Sequence, residues 1–136
     1  MIGLAESVRS GKTRSNSLGI KPYFEDGAFS GALVEMDRYS LLLHSEQIQP
    51  IRWVELDPND LPDCAEWNII LDNLVDIDKV MKDNGGEQLS GHLYWTGSED
   101  GENSAWVVGT FSRRHGFRKF FKTQRFPFRT CERIAW

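Results

Sequence analysis

The sequence has little of what disulfide-rich or metal-centred domains are built from, with two cysteines and three histidines among 136 residues. Two cysteines do not make a disulfide framework. A zinc site needs three or four converging ligands, and the histidines are scattered without the spacing that brings ligands together. These histidines are His44, His92 and His115. We therefore expect no metal and no cofactor.

Long apolar runs and export signals are also missing. No apolar stretch approaches the length that crosses a bilayer, and the first residues lack the charged-then-apolar pattern of a signal peptide. We therefore expect no membrane insertion and no Sec-dependent export. The sequence also contains no Ser–His–Asp arrangement and no glycine-rich phosphate loop, so we expect a protein that is not an enzyme.

Charge is abundant but unevenly placed. The formal net charge is −4. Residues Phe24–Asn103 carry eighteen acidic and four basic side chains, whereas Arg113–Arg129 carries seven lysines and arginines and no acid. The mildly acidic total does not indicate nucleic-acid binding, but the basic segment is a candidate surface for an anionic partner.

The first eighteen residues differ in composition from the rest of the chain. Met1–Leu18 is rich in serine, glycine and basic residues and has no apolar period. We expect a flexible arm here, and the alternative is an arm that orders on a partner subunit or an anionic surface. Residues 19–136 are long enough for one domain with a moderate core.

Alternating apolar residues and turn residues predict strands on both sides of a helical region. The predicted strands are Ala32–Met36, Tyr39–Leu43, Ile51–Leu56, His92–Thr96, Ser104–Phe111 and Phe128–Ile134. Asp37 and Arg38 form the turn of the first hairpin. Pro127 argues against a central strand at its own position, because it cannot donate a ladder hydrogen bond.

Helical spacing follows the turn residues Asp57–Asp60. Asp60 suits the N-cap and Pro62 suits the first turn. Apolar residues at helical spacing define one buried stripe, namely Trp67, Ile70, Leu71 and Leu74. Three acids fall off this stripe and are expected in water, namely Asp63, Glu66 and Asp72. A second helix is predicted at Ile77–Lys82, with Val80 and Met81 inward and Gly85–Gly86 after its end.

Three blocks of the sequence carry a family resemblance. They are the strand Tyr39–Ser45, the segment Asp60–Leu74 with its LPDCAEW sequence, and Gly91–Trp136, which contains YWTGSE, NSAWVV and FRTCERI. In this order they resemble C-type lectin-like domains, a family that includes the C-terminal domains of collagen-like bacterial lectins and many prophage proteins. The phage major tropism determinant shares that fold. The resemblance implies an α+β fold, with one or two helices beside a small twisted antiparallel sheet, and pairing of the N- and C-terminal strands.

The resemblance also bears on the cysteines and on calcium. Extracellular relatives often join the corresponding helix and last strand by a disulfide, so the resemblance implies that Cys64 and Cys131 lie near each other. Without an export signal we expect two buried or half-buried thiols. Calcium-binding relatives use a Pro-containing acidic pair and a Trp-Asn-Asp segment, which this chain lacks. We therefore expect Gly97–Ser104 to be a solvated loop.

In the related domains, the segment before the last strand commonly supplies the ligand-facing loop, which places residues 112–125 on the exposed face. The planar guanidinium group of arginine can donate two parallel hydrogen bonds to a phosphate or carboxylate, and phenylalanine rings offer stacking surfaces. The predicted ligand-binding residues are Arg113, Arg114, His115, Phe117, Arg118, Lys119, Lys122 and Arg125. The aromatic residues expected in the core are Trp67, Trp95, Trp106, Phe111, Phe126 and Phe128.

These observations lead to the hypothesis of a non-enzymatic recognition module from a phage or prophage. It would bind a host surface or a protein ligand with anionic groups, in the virion or in the bacterial cytoplasm. Two alternatives stay open. One is nucleic-acid binding through the same basic segment, and the other is a phage-encoded inhibitor of a host protein. A homo-oligomer is compatible with all three.

Overall fold

The computed structural model describes residues 19–111 and 114–135, with only the backbone for Arg114 and His115. The predicted arm, residues 1–18, therefore lies outside the described residues. Four strands come first: β1 (Ile20–Glu25), β2 (Ala28–Glu35), β3 (Tyr39–His44) and β4 (Ile48–Arg52). Two helices follow: α1 (Cys64–Asp72) and α2 (Leu74–Asp83). The remaining strands are β5 (Leu93–Asp100), β6 (Ser104–Phe111), β7 (Arg114–Phe121), β8 (Arg125–Phe128) and β9 (Cys131–Ala135).

The described strands form three antiparallel sheets. Their strand orders are β1-β2-β3-β9, β4-β8 and β5-β6-β7. Together with two helices this is an α+β architecture, as the sequence predicts. The predicted pairing of the N- and C-terminal strands is wrong, because β9 pairs with β3 while β1 lies at the opposite edge beside β2. Residues Leu41–Leu43 of β3 are essentially inaccessible, so this strand is central and β9 covers its second edge.

The first helix begins later than predicted. Asp63, not Asp60, is its N-cap: the Asp63 carboxylate accepts from the Glu66 backbone N–H at 2.8 Å, and the Glu66 carboxylate accepts from the Asp63 N–H at 2.9 Å. This reciprocal pair is a capping box. Asp60 instead ends a short 3₁₀ turn, and the buried Leu61 redirects the chain toward the helix.

The predicted apolar stripe and the second helix are confirmed. Trp67, Ile70, Leu71 and Leu74 are all buried, as is Met81 in α2. Gly85 adopts a positive φ of 84° just after α2, which is a conformation that favours glycine at a helix end. None of the helices among the described residues is long and apolar enough to cross a membrane.

The core has two parts. The larger cluster lies between the helices and the sheets, and in it the Trp67 ring stacks on the Tyr94 ring at a centroid distance of 5.6 Å. In the smaller cluster, Trp95 meets Phe126 edge-on at 5.1 Å. Both tryptophans are fully buried, as predicted. Trp106 is only half-buried, in contrast to the prediction of a largely buried side chain.

Several predicted boundaries are corrected. The strand predicted at Ile51–Leu56 stops at Arg52, where a 3₁₀ turn begins. The final strand divides into β8 and β9, with the buried Arg129 between them. Pro127 lies in β8, which pairs with β4 alone among the described residues, so the backbone N–H that proline lacks is not needed for a second ladder there. The acidic segment is not an eight-residue loop, since β5 runs on to Asp100.

Among the phenylalanines expected in the core, the outcome is mixed. Phe128 is buried and Phe126 is half-buried in the smaller cluster. Phe111 is 44% exposed, so its assignment to the core is wrong. Phe111 is the last residue of β6.

Candidate recognition site

The first part of the basic segment forms a β-strand where the sequence predicts a ligand-facing loop. Residues 114–121 form β7, which pairs with β6 from Phe111↔Arg114 to Ser104↔Phe121. Alternation along a strand sends successive side chains to opposite faces. The predicted site is therefore divided between two faces of the sheet. Arg113 lies outside the described residues, and so do the side chains of Arg114 and His115.

One face of β7 carries Arg118, which is exposed and lies opposite Val107. No ion pair joins Arg118 to another residue that the structure describes. Its neighbour on the same face, two residues earlier, is Gly116. The guanidinium of Arg118 is thus an exposed cation whose planar donor groups suit a carboxylate or phosphate from outside the chain.

The other face carries Phe117 and Lys119. The Phe117 ring is half-buried and packs against the larger core cluster, so it is not the exposed anchor that the sequence indicates. The Lys119 ammonium lies 5.9 Å from the centre of the Trp106 ring and 3.3 Å from the Asp100 carboxylate. Lys119 is exposed, but its charge is already partly matched within the chain.

Lys122 is a structural residue in this fold. It is only 8% exposed, and its Nζ lies 2.6 Å from Glu99 Oε2, 3.1 Å from the Gly101 carbonyl oxygen and 4.8 Å from the centre of the Trp53 ring. A buried ammonium needs such partners because an unpaired charge is costly to desolvate. The prediction that Lys122 faces a ligand is therefore not supported by its position.

Arg125 lies apart from the other predicted site residues. It is on β8, exposed, opposite Arg52 of β4. The nearby Glu55 carboxylate binds Arg52 at 3.1 Å, and the hydrogen bond from Arg52 is the largest cause that lowers the pKa of Glu55. Of the predicted ligand-binding side chains that the structure describes, Arg118 alone is exposed on the Gly116 face of β7.

A cleft of about 430 Å³ lies beside Arg118 on the same face of the sheet. It is lined by Leu93, Val107, Gly109, Phe111, Gly116, Phe117 and Arg118. Gly109 and Gly116 face each other in the β6–β7 register, so two side chains are missing at adjacent positions and a trough is left. Gly116 has a φ of 152°, which favours glycine, and a Cβ there would meet no atom within 4 Å.

Most of this cleft was not identified from the sequence. In the sequence, Leu93, Val107 and Gly109 belong to ordinary predicted strands, and Gly116 lies in the segment 112–125 without being a predicted ligand contact. The available signal is the symmetry of GTFSRRHG, where the two glycines stand at equal distances from the Ser112–Arg113 pair. A two-residue hairpin turn at that pair would put the glycines opposite each other.

The other titratable side chains form structural contacts. His44 Nδ1 lies 2.6 Å from Thr130 Oγ1, and His44 Nε2 lies 3.0 Å from Glu132 Oε2, so both ring nitrogens are engaged across the β3–β9 edge. Sequence reasoning missed this hydroxyl–imidazole–carboxylate chain because its members are 86 and 88 residues from the histidine. In the part of the chain that is described, no cluster of metal-ligating side chains occurs.

The two cysteines are a half-buried and a buried free thiol, as expected. Burial raises the pKa of the Cys131 thiol to about 12, so this thiol is protonated at neutral pH. Because its pKa is raised, Cys131 lacks the thiolate character that a nucleophile requires. Cys64, at the start of α1, has its Sγ 3.8 Å from Thr96 Oγ1.

The sequence matches no protein-family model and no curated protein. The geometry of the cleft and of Arg118 is consequently what the functional conclusion rests on.

Proposed function

We propose that this protein is a noncatalytic recognition module whose ligand places an apolar group in the cleft and a carboxylate or phosphate on Arg118. The observation that supports the proposal is the combination of an apolar trough over the Gly109–Gly116 pair with an exposed guanidinium at its rim. A site with apolar walls and a few placed polar groups is the usual form of a binding pocket.

The ligand class that suits this site best is a protein. One cation beside an apolar trough matches an apolar side chain with a neighbouring carboxylate, and the exposed Phe111 enlarges the apolar contact. A phage or prophage protein that binds a host surface or a host protein fits this chemistry. The virion or the bacterial cytoplasm is the location that we propose for it.

Nucleic-acid binding is less well supported. A phosphate track needs several cations along one face. Here Arg118 lies on one face, Lys119 is paired with Asp100 on the other, and Lys122 is buried against Glu99. The described side chains of residues 116–125 therefore form no continuous row of cations along one face that could follow a phosphate backbone.

We also propose that the fold is C-type lectin-like. Contacts between the resembling blocks support this: β3 pairs with β9, Tyr94 stacks on Trp67, and the Arg133 guanidinium binds the Glu66 carboxylate at 2.6 Å. Residues from the strand block, the helix block and the last block therefore meet in one core. A solved structure superposed on a C-type lectin-like domain would test this proposal.

The binding proposal is tested by selecting peptides from a displayed random library on the immobilised protein. Enriched peptides should combine a large apolar residue with a carboxylate. Arg118→Glu should weaken their binding at least about tenfold, because a charge-assisted hydrogen bond contributes about 1.5–3 kcal/mol. Fluorescence anisotropy measures the dissociation constants.

Arg125→Glu is the matched control, since it makes the same charge change at another exposed arginine of the basic segment. It should change affinity less than about twofold, and both variants should keep the wild-type melting temperature. Peptides that bind equally well to the Arg118→Glu variant, or enriched peptides without a carboxylate, would contradict the proposal.

A further inference from the structure

Strand β7 has a free backbone edge beside the cleft. Within residues 19–111 and 114–135, the ladder of β7 is with β6 alone. An unpaired strand edge presents a row of N–H and C=O groups that can accept another strand. Only every second residue of β7 directs its N–H and C=O groups toward this edge.

The hydrogen bonds of β6 show which residues of β7 direct their backbone groups toward the free edge. The Thr110 N–H donates to the His92 carbonyl at 2.9 Å, and the Thr110 carbonyl accepts from the Gly91 N–H at 3.0 Å. Thr110 therefore directs both groups away from β7. In an antiparallel ladder such residues alternate with those that bond across the pair. His115, opposite Thr110, thus directs its backbone groups to the free edge.

Alternation extends this pattern along β7 to Phe117 and Lys119. The far end of the strand is consistent with it, because the Lys122 N–H donates to the Asn103 carbonyl on the β6 side at 2.9 Å. The next outward residue, Phe121, donates its N–H to the Gln124 side chain at 3.0 Å. Among the described residues, no strand takes up the outward groups of residues 115, 117 and 119, so these groups can bind an added strand.

We propose that the outer edge of β7 binds an extended, acidic segment of a protein partner as an additional antiparallel strand. This inference rests on the proposed function and specifies its ligand. Charge complementarity decides the occupant, since Arg118 is exposed without an ion pair among the described residues and residues 114–121 contain no acid. A second copy of this chain on the same edge would bring two such cationic strands together, which is unfavourable for directly opposed like charges.

The register of the added strand predicts a sequence pattern for the partner. A residue opposite Gly116 lies on the cleft face, and a residue two positions away lies opposite Arg118 on that face. Because Gly116 has no side chain and open space where a Cβ would be, an apolar side chain of the added strand can lean over it into the cleft. We expect an apolar residue and an acidic residue separated by one position.

The exposed ends of the hairpin enlarge this surface. Phe121, the last residue of β7, is 65% exposed, and Phe111 lines the cleft at the other end. Peptides that add to a sheet edge gain affinity from main-chain hydrogen bonds and specificity from pockets for alternate side chains. The free edge and the cleft supply these two components.

The test uses the pair Lys119→Ala and Lys119→Pro. Both remove the lysine side chain, but only proline also removes the outward N–H. The β6–β7 ladder should survive, because that N–H is not part of it and edge strands tolerate proline at such positions. The probe is a nine-residue synthetic peptide with a central phenylalanine, glutamate two positions on either side, and threonine between them.

The alanine variant should bind this peptide within about threefold of wild type, and the proline variant at least about tenfold more weakly, measured by NMR titration. In the wild-type complex, amide hydrogen exchange should slow at residues 115, 117 and 119. This second measurement keeps the proposal testable if the proline variant does not fold.

Equal binding by the two variants, unprotected amides, or no binding up to about 1 mM peptide would overturn the added strand. A wild-type dimer that becomes monomeric on Lys119→Pro would also overturn it, since a second copy would then occupy the edge. In each case, library-selected peptides that still depend on Arg118 would leave the proposed recognition function standing.

Discussion

The basic residues near the C-terminus fall into two groups that differ in what surrounds them. Lys122, Arg129 and Arg133 are held by the protein itself, through carboxylates and backbone carbonyls. Arg118 and Arg125 stand at the surface, on β7 and β8. Members of the two groups are interspersed along the same short stretch of chain. A count of positive charges therefore says little about a binding surface until the strand register is known.

The held cations act as connectors between distant segments. Arg133 binds the Glu66 carboxylate and the carbonyls of Asn59 and Leu61, so it fastens β9 to the start of α1. Arg129 is fully buried and donates to the carbonyls of His44, Glu87 and Gln88. The surface cations make no comparable connection among the described residues. Substitution of a held cation should therefore lower the free energy of unfolding, whereas substitution of a surface cation should leave it nearly unchanged.

The largest effect is expected for Arg129→Met. It keeps an apolar side chain of similar length but leaves three carbonyls without their donor, at about 1–3 kcal/mol for each unsatisfied buried group. Release of the buried charge offsets part of this loss. We expect the free energy of unfolding to fall by about 3–5 kcal/mol in urea denaturation. The control Arg125→Met should change it by less than about 0.5 kcal/mol, and equal effects would break the distinction between the two groups.

The sequence predicts elements whose signal is local. The Trp67–Leu71 stripe, the β2–β3 hairpin and the paired strands around Trp95 follow from periodicity and turn residues, which neighbouring positions carry by themselves. The sequence does not predict where Glu66 lies. It falls off the apolar stripe and was expected in water, yet it is buried because Arg133, 67 residues later, reaches it.

The candidate site also combines features that are visible in the local sequence with features that depend on distant residues. The basic character of residues 113–125 is visible in the sequence, but the difference between Arg118 and Lys122 depends on β7 being a strand and on Glu99 lying beside it. The cleft depends on the pairing of Gly109 with Gly116, which is a property of two strands together. The pairing register of strands that are distant in the sequence therefore cannot be predicted from this single sequence.

A smaller effect is expected at Glu66, with a defined pH dependence. Burial alone would raise the pKa of Glu66, but hydrogen bonds from Arg133 and Tyr39 lower it below its ordinary value of 4.5. A lowered pKa in the folded state adds stability above the unfolded-state pKa, and this contribution is lost as the pH falls through the folded-state pKa. Burial also raises the pKa of Tyr39 to about 12, so its hydroxyl remains a donor.

We expect Glu66→Gln to lower stability by about 1.5–3 kcal/mol at pH 7, the range for hydrogen bonds to a charged group. The difference between variant and wild type should shrink as the pH falls from 4.5, where the carboxyl group of the unfolded chain takes up a proton, through the lower pKa of Glu66 in the folded protein. Urea denaturation at several pH values measures it. Asp72→Asn, at an exposed acid of the same helix, is the control. A difference that does not change with pH would show that the charge of Glu66 does not act in this way.

The smallest effect is expected for the ion pair between Lys119 and Asp100. Both side chains are exposed and their charged atoms are 3.3 Å apart, so water and salt screen the attraction. A double-mutant cycle with alanine at both positions should give a coupling of about 0.2–0.5 kcal/mol, which falls further at high salt. The same cycle for Lys122 and Glu99, 2.6 Å apart with the lysine buried, should give a larger value that salt changes less. If the two couplings were equal, burial would not be what distinguishes the structural cations from those on the surface, and Lys122 would return to the set of candidate ligand contacts.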